Sequence, residues 1–322
     1  MFPFLLIISD YLQFKIKNDK IITAKINIYK KIRFWSVIFV KIKDLIIKAN
    51  SILKENNIDD SNLKVRILLA DLLGKNKEYL MIHDDEEIND GLSNVFFEKI
   101  DRLKKHEPLQ YIINKQEFMG FDFYVDENVL IPQPDTENLV EEVILLSETL
   151  RKNYKTELRI LDLCTGSGAI AISISKLIKN CLVYASDISK EALKIADENS
   201  SRNQANVLFI ESNLFEKISN LYKFDIIVSN PPYIESDVIE TLSEEVKKEP
   251  ILALDGGDDG LDFYRKIAKE AKGYLNTNGY LAFEIGYNQK EEVEKILLEV
   301  GYKNIYSRKD LGGNDRIVIG QI

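Results

Sequence analysis

Asn230-Pro231-Pro232-Tyr233 is the segment of this chain whose residue types and order could do chemistry on nitrogen. Two prolines fix φ at successive positions and hold the preceding Asn230 to extended backbone. The loop should therefore be stiff, with a polar side chain aimed outward. A planar amide or aromatic amine is a poor nucleophile, because its lone pair is delocalised. The Asn230 side-chain oxygen and a nearby backbone carbonyl can accept both of its N–H groups, which orients the nitrogen for attack. Tyr233 can stack on the flat group and hold it. This is catalysis by positioning and pre-aimed dipoles. An NH2 is preferred over an oxygen because acceptors left unpaired cost ~1–3 kcal/mol each. No histidine or metal is required, which suits a chain with two histidines, His83 and His106. The bland alternative is a rigid turn that merely ends a strand.

A second motif argues against that alternative. Asp162-Leu-Cys-Thr-Gly166-Ser-Gly168 joins an apolar strand directly to a helix. Glycines there let the backbone turn sharply and approach a ligand without a Cβ between them. Asp187 follows Gly166 at the end of the next strand, where a carboxylate can accept hydrogen bonds from ribose hydroxyls. Two cofactors fit. Gly166-Ser-Gly168-Ala-Ile-Ala171 matches the loose G-x-G-x-x-G/A form of a dinucleotide fold. S-adenosylmethionine also has a ribose but no pyrophosphate, and its methionine part would lie over the loop. The Asn-Pro-Pro-Tyr segment favours the second, because in-line attack of an oriented nitrogen on a sulfonium methyl gives that segment a task.

These motifs need strand ends to carry them, and the chain supplies strands alternating with helices. Residues 159–164, 182–186, 207–211, 224–229 and 280–285 read as strands, and helices are expected at 168–179, 261–274 and 289–300, with Ser189 capping a further one. This is a doubly wound, mostly parallel α/β sheet. Strand 224–229 should lie beside strand 159–164, so that Asn230 faces the glycine turn. Strands near 302–307 and 315–320 are joined by Gly312-Gly313-Asn314, too short for a parallel crossover, so one strand should be antiparallel.

Upstream, Ile42, Leu45, Ile46, Ala49, Ile52 and Leu53 form one helical stripe. Asp60-Ser61 is expected to cap the next helix, which Gly74 ends, and Ser93 to cap another. Residues 41–115 thus read as a small helical domain. Residues 117–131 alternate aromatic and β-branched side chains around Asp126-Glu-Asn128, which predicts a β-hairpin linker over 116–135. The catalytic domain then occupies 136–322.

Composition sets the outer bounds. At 322 residues and ~150 per domain, two domains are expected. A net charge of -9 argues against a protein that coats nucleic acid through its phosphates. The charge is uneven: residues 1–50 carry ten Lys/Arg against three Asp/Glu. Two cysteines, Cys164 and Cys181, rule out a disulfide framework or zinc site and suit a reducing cytosol. The apolar runs at 4–8 and 34–40 are far shorter than a spanning helix needs, and no signal-peptide pattern surrounds the first. Residues 1–40 have no clean period. They fit an extra hairpin, a membrane-surface segment or sequence upstream of the true translation start; the last is the favoured reading, and on it a chain beginning near residue 40 should fold and work.

Together, Asp162–Gly168, Asp187 and Asn230–Tyr233 resemble the class I S-adenosylmethionine-dependent N-methyltransferases. Leu130-Ile-Pro-Gln-Pro-Asp-Thr-Glu137, the stretch Glu249–Arg265 with its Asp-Gly-Gly-Asp-Asp-Gly core, and Asp310-Leu-Gly-Gly-Asn-Asp-Arg316 narrow this to the release-factor glutamine methyltransferases, the HemK/PrmC family. The resemblance covers roughly residues 41–322. It implies a seven-stranded Rossmann-like methyltransferase sheet and N5-methylation of the glutamine in the Gly-Gly-Gln loop of class I peptide chain release factors. It implies that the helical domain grips the factor. Catalysis then falls to Asn230, Pro231, Pro232 and Tyr233. Cofactor binding falls to Asp162, Cys164, Thr165, Gly166, Ser167, Gly168, Asp187, Asn213, Leu214 and Asn230. A cytoplasmic monomer without metal, membrane or nucleic-acid partner is expected. Two departures stand out: Gln133 replaces a frequent Arg, and Asn213 replaces a common Asp near the adenine.

The nearest competing reading is the same chemistry on a ribosomal-protein glutamine or on an adenine in nucleic acid. A dehydrogenase would leave Asn-Pro-Pro-Tyr without a task. An inactive binding module sits poorly with intact Asp187, Asn230 and Tyr233.

Overall fold

A computed structural model describes residues 40–153 and 157–322. The reading of the chain's start as untranslated sequence falls on residues 1–39, outside the described ones. The fold divides into one unit ending at Ile100 and a larger one spanning Asp101–Ile322.

The smaller unit is helical. α1 (Ile42–Glu55), α2 (Ser61–Leu73), α3 (Lys77–Ile82) and α4 (Asp90–Leu103) follow one another, with a two-residue antiparallel pair between β1 (Val40–Lys41) and β2 (Glu87–Ile88). The predicted stripe is buried at Ile42, Leu45, Ile46, Ala49 and Leu53 and only partly at Ile52; Val65, Leu68, Leu69, Leu80 and Phe96 of the following helices are buried too. Two caps differ from expectation. A capping side chain reaches the first amides only from extended backbone. Asp60 is left-handed at φ 51° and makes no side-chain cap bond, while Ser61 Oγ donates to Asn50 Oδ1 at 2.6 Å. Ser93 lies inside α4; Asn89 Oδ1 accepts the Leu92 amide instead (3.0 Å). Gly74, left-handed at φ 62°, ends α2 as predicted.

Past the last turn of α4, the larger unit continues with α5 (Leu109–Ile113) and a hairpin, β3 (Gln116–Phe118) and β4 (Phe121–Phe123). The hairpin is present but its turn is Met119-Gly120, with Phe118 opposite Phe121. Both turn residues have positive φ, the geometry that matches strand twist. Asp126-Glu-Asn128 is not a hairpin turn. Asp126 Oδ1 accepts both the amide and the side-chain Nδ2 of Asn128, and this local competitor to strand pairing leaves the segment irregular.

The remainder is the doubly wound sheet. Its strands are β5 (Leu158–Leu163), β6 (Cys181–Asp187), β7 (Val207–Glu211), β8 (Phe224–Ser229), β9 (Leu275–Glu284), β10 (Lys303–Lys309) and β11 (Asp315–Gln321). Their order is β10-β11-β9-β8-β5-β6-β7. Only β11 runs against its neighbours, as the short final turn requires. The helices are α6 (Pro134–Asn153), α7 (Ala169–Leu177), α8 (Lys190–Arg202), the single turn α9 (Ile251–Leu254), α10 (Asp262–Ala271) and α11 (Lys290–Val300). The strands alternate sides: Ile160, Ile226 and Val228 pack into one core with α6 and α7, while Leu161, Leu163 and Ile227 join another with α10 and α11. No helix among the described residues is long and apolar enough to cross a membrane.

Candidate active site

Chain order reverses between β5 and β8, and ligands bind beyond the carboxyl ends of strands at such a switch point. The register does the rest. Leu163 pairs with Ser229 on one side and Ser186 on the other, and Asp187 pairs with Glu211. The segments starting at Cys164, Ile188, Ser212 and Asn230 therefore leave the sheet at one rim. They enclose a concave cleft at the sheet's rim. Cys164, Gly166, Asp187, Asn213, Leu214, Asn230 and Pro232 line it.

The glycine turn is built from behind. Thr165 N donates to Ser186 O (3.0 Å), and Asp162 Oδ2 accepts the Thr165 hydroxyl (2.6 Å). Asp162 is fully buried, which pushes its carboxyl up to about 7. Asp162, Thr165, Ser167 and Gly168 do not line the cleft; they shape the loop. A Cβ on Gly168 would meet Ile172 Cδ1 at 2.9 Å and Ala196 Cβ at 3.1 Å, so this glycine lets α7 pack against α8. Gly166 is different. At φ +53° its added Cβ would meet nothing within 4 Å, so the missing side chain leaves a cradle on the cleft side. Cys164 is left-handed at φ 59°, and burial pushes its thiol well up.

Asp187 is held ready. Its Oδ2 accepts the Gly166 amide and its Oδ1 the Ser189 amide, each at 2.9 Å. Each oxygen keeps a lone pair for a hydroxyl. Burial raises this carboxyl, against the pull of those amides. Ser189 caps α8 as predicted, accepting from Ala192 N (3.1 Å). Asn213 donates to Glu216 Oε1 (2.7 Å) and Leu214 is left-handed at φ 46°. An apolar wall from Leu130, Leu252, Ala253 and Phe263 completes the cleft. A ribose acceptor, a glycine cradle and an apolar wall in one cleft suit an adenosyl group.

Asn230 reaches the same cleft, and no cis peptide bond occurs among the described residues. Asn230 Nδ2 donates to Thr136 Oγ1 (3.3 Å), which turns its carbonyl oxygen away from Thr136. Pro231 is buried, and Tyr233 does not line the cleft. The Tyr233 ring packs against the α10/α11 core, and burial raises its phenol beside Glu284, Arg316, Asp135 and Glu249. Its backbone is clamped. Gln289 Nε2 donates to Tyr233 O (3.0 Å), and Cβ atoms on Gly256 or Gly260 would lie 2.7 Å from Tyr233 Cα or 2.4 Å from its oxygen. The Asp-Gly-Gly-Asp-Asp-Gly segment is thus the tight backing of the Asn-Pro-Pro-Tyr loop.

Residues around Pro134 tie several elements together. Asp135 pairs with Arg316 (3.0 Å), which also pairs with Asp310 (3.1 Å). Glu137 Oε1 accepts the Met119 amide (2.6 Å), fixing the hairpin. Exposed Gln133 donates only to Ile131 O (3.0 Å). Three residues with structural claims on the site had no role assigned from sequence, although one of them, Glu249, opens a matched motif. Fully buried Asn199 bonds both backbone groups of Tyr124 (2.7 and 2.9 Å) and Ser167 O (3.0 Å). Glu249, pushed up to about 7 by burial, accepts the Ile131 amide (2.9 Å). Glu284 is 2% exposed at the end of β9, beside Thr136 and Asn230. A lone charge in the apolar run Leu-Ala-Phe-Glu-Ile was the available signal for the last.

Comparison with known proteins agrees with this geometry. The family model described as the PrmC N-terminal domain matches residues 44–113, and the methyltransferase small domain matches 142–248. A release factor glutamine methyltransferase of Clostridium acetobutylicum is 45% identical over 284 residues, covering 87% of this chain and 98% of that protein. One of Fusobacterium nucleatum is 44% identical over 281 residues, covering 86% and 78%. Among solved structures, the hMettl16 catalytic domain in complex with an RNA hairpin shares the fold at 13% identity and TM-score 0.50, covering 73% of this chain and 84% of that one. With its sheet, its rim of motif residues and relatives of this identity over 98% and 78% of their length, the chain belongs to the release factor glutamine methyltransferase family.

Proposed function

We propose that the protein transfers a methyl group from S-adenosylmethionine to the side-chain nitrogen N5 of the glutamine in the Gly-Gly-Gln motif of class I peptide chain release factors. One observation carries this reading: Asn230, with its amide nitrogen committed to Thr136, shares a cleft with Gly166 and Asp187. When bound, S-adenosylmethionine supplies an electrophilic methyl on a sulfonium, whose departure leaves a neutral thioether. Asp187 would accept from the ribose hydroxyls, Asn213 and Leu214 would flank the adenine, and the Gly166 cradle would take the methionine part. Asn230 Oδ1 accepts one N–H of the glutamine amide, and the backbone carbonyl of the rigid loop accepts the other. Held this way, the nitrogen is oriented and its rehybridisation is favoured. After transfer the nitrogen is strongly acidic and loses its proton without a dedicated base. Tyr233, partly buried against the core, supports the loop. A residue-41–115 helical region that grips the factor, a 116–135 linker, a monomeric state and a cytoplasmic location, without nucleic-acid partners, complete the proposal.

The test supplies labelled S-adenosylmethionine with release factor, ribosomal protein and DNA in parallel. Label is expected on the release-factor glutamine alone. Asn230→Ala should abolish transfer while cofactor binding survives, and Asp187→Ala should mainly weaken cofactor binding. Label on another acceptor, or equal loss of cofactor affinity in both variants, refutes the reading.

A further inference from the structure

Asn230 must present the correct face of its carboxamide. A flipped amide would offer a donor where an acceptor is needed. Thr136 Oγ1 accepts from Asn230 Nδ2 at 3.3 Å, and Thr136 itself is buried at 4% exposure. A hydroxyl has one proton and must place it elsewhere. The Glu284 carboxyl sits beside both Thr136 and Asn230, and its buried Oε2 has no hydrogen-bond partner, so it can take the proton that Thr136 must place. We propose that Thr136 and Glu284 are positioning residues: a relay from the Asn230 amide through the Thr136 hydroxyl to the Glu284 carboxylate that locks the carboxamide and polarises its oxygen.

The direction follows from the inventory of protons. An ionised Glu284 only accepts, so the Thr136 hydroxyl donates to it and accepts from Asn230. Chains of such bonds polarise one another at low local dielectric. Electron density drawn toward Asn230 Oδ1 makes it a better acceptor for the glutamine N–H. This rests on the proposed role of Asn230 toward the acceptor amide.

The relay acts only while Glu284 is ionised. The groups facing Glu284 are Asp135 on α6, Arg316 on β11, Tyr233 after β8 and Tyr264 on α10. Arg316 is already shared between Asp135 and Asp310, and the Tyr264 hydroxyl goes to the Glu284 backbone oxygen (3.0 Å). Burial pushes Glu284 up to about 7, so a neutral carboxyl below that pH would leave Thr136 free to reverse its bond.

The experiment has a substrate-free and a kinetic arm. The Asn230 side-chain ¹⁵N resonances, assigned by their loss in Asn230→Ala, are followed against pH. They should titrate near neutrality in the wild type and stay flat in Glu284→Gln. Glu284→Gln and Thr136→Val should lower kcat about tenfold or more with cofactor affinity within about twofold, and Thr136→Ser should recover most of the rate. The acid limb of the wild-type kcat profile should vanish in Glu284→Gln. If Glu284→Gln does not fold, Thr136→Val and the wild-type resonances decide. A wild-type Asn230 signal indifferent to pH, or unchanged kcat in the variants, overturns the relay. A titrating Asn230 in an enzyme that leaves release factor unlabelled overturns the substrate reading and keeps the relay.

Discussion

Replacing Gly256 with alanine separates the loop's support from the cofactor cradle. Gly256 has no positive φ, so the substitution brings no backbone strain of its own. The added Cβ would lie 2.7 Å from Tyr233 Cα and 2.8 Å from Tyr233 C. Unstrained carbon contacts start near ~3.5 Å, so one backbone must retreat by about 0.8 Å. Neither can rotate aside, since both contacts are main chain. The Gly256 side is anchored by its own amide, which donates to Ile234 O (2.8 Å), and by Ile234 N to Leu254 O (2.9 Å). Displacement therefore reaches the Asn-Pro-Pro-Tyr loop. Overpacking of this kind costs about 1–3 kcal/mol, and a misplacement of ~1 Å near reacting atoms can cost about 100-fold in rate. For a domain of this size each kcal/mol moves Tm by about 2–4 °C. We expect a Tm lowered by about 2–12 °C and kcat lowered about 10–100-fold, with cofactor Kd within about threefold. Thermal melts, methyl-transfer kinetics and calorimetric cofactor titration measure the three quantities. Wild-type kcat in a well-folded variant refutes the steric argument; cofactor affinity falling in step with kcat refutes the separation of the two loops.

Three further substitutions probe other supports. Gly166→Ala places a methyl in the open cradle at φ +53° and should weaken cofactor binding while costing about 1–2 kcal/mol of stability; unchanged affinity by calorimetry would show that nothing docks there. Asn199→Ala removes a fully buried amide that holds Tyr124 and Ser167, and unsatisfied backbone groups should cost about 2–4 kcal/mol by denaturant melts; a loss under 1 kcal/mol contradicts that bond count. Glu249 has its folded pKa raised from 4.5 to about 7, so the folded state holds the extra proton between those values. Its contribution is present at low pH and lost as pH rises through about 7, which penalises the fold by up to about 3 kcal/mol in alkali. Glu249→Gln still offers an oxygen to Ile131 N and should raise Tm at pH 8 more than at pH 5; the reverse order would show that the carboxylate is compensated.

The parts of the site that the chain declares openly are those that a parallel sheet collects by register. Asp187, Gly166 and Asn230 each sit just past an apolar run, and neighbouring parallel strands in matched register must release such residues at one rim. Strand order follows from right-handed connections, so the meeting of Gly166 and Asn230 was readable without coordinates. Local capping was read less well, because it turns on one φ angle: Asp60 and Ser93 have the right chemistry in the wrong backbone or the wrong turn. The hairpin turn was misplaced for a similar reason, since Met119-Gly120 carries a weaker residue signal than Asp126-Glu-Asn128.

The long-range supports have no such periodic trace. Asn199 is bonded to Tyr124, 75 residues away, and Thr136 to Asn230 across 94. Each looks locally like an ordinary polar residue, and only the fold reveals its partner. Burial is what converts them from optional to obligatory, because a polar group excluded from water must find its partner or destabilise the fold. The signals that do survive in sequence are therefore violations. A carboxylate ending the apolar strand β9, an asparagine in the interior of α8 and paired glycines behind a proline loop each contradict the local rule for their element. On the proposed reading, those violations gather on the far side of the same two loops whose near side would carry the chemistry. The rim residues would then choose the reaction, and the buried exceptions would hold the rim in the geometry that it needs.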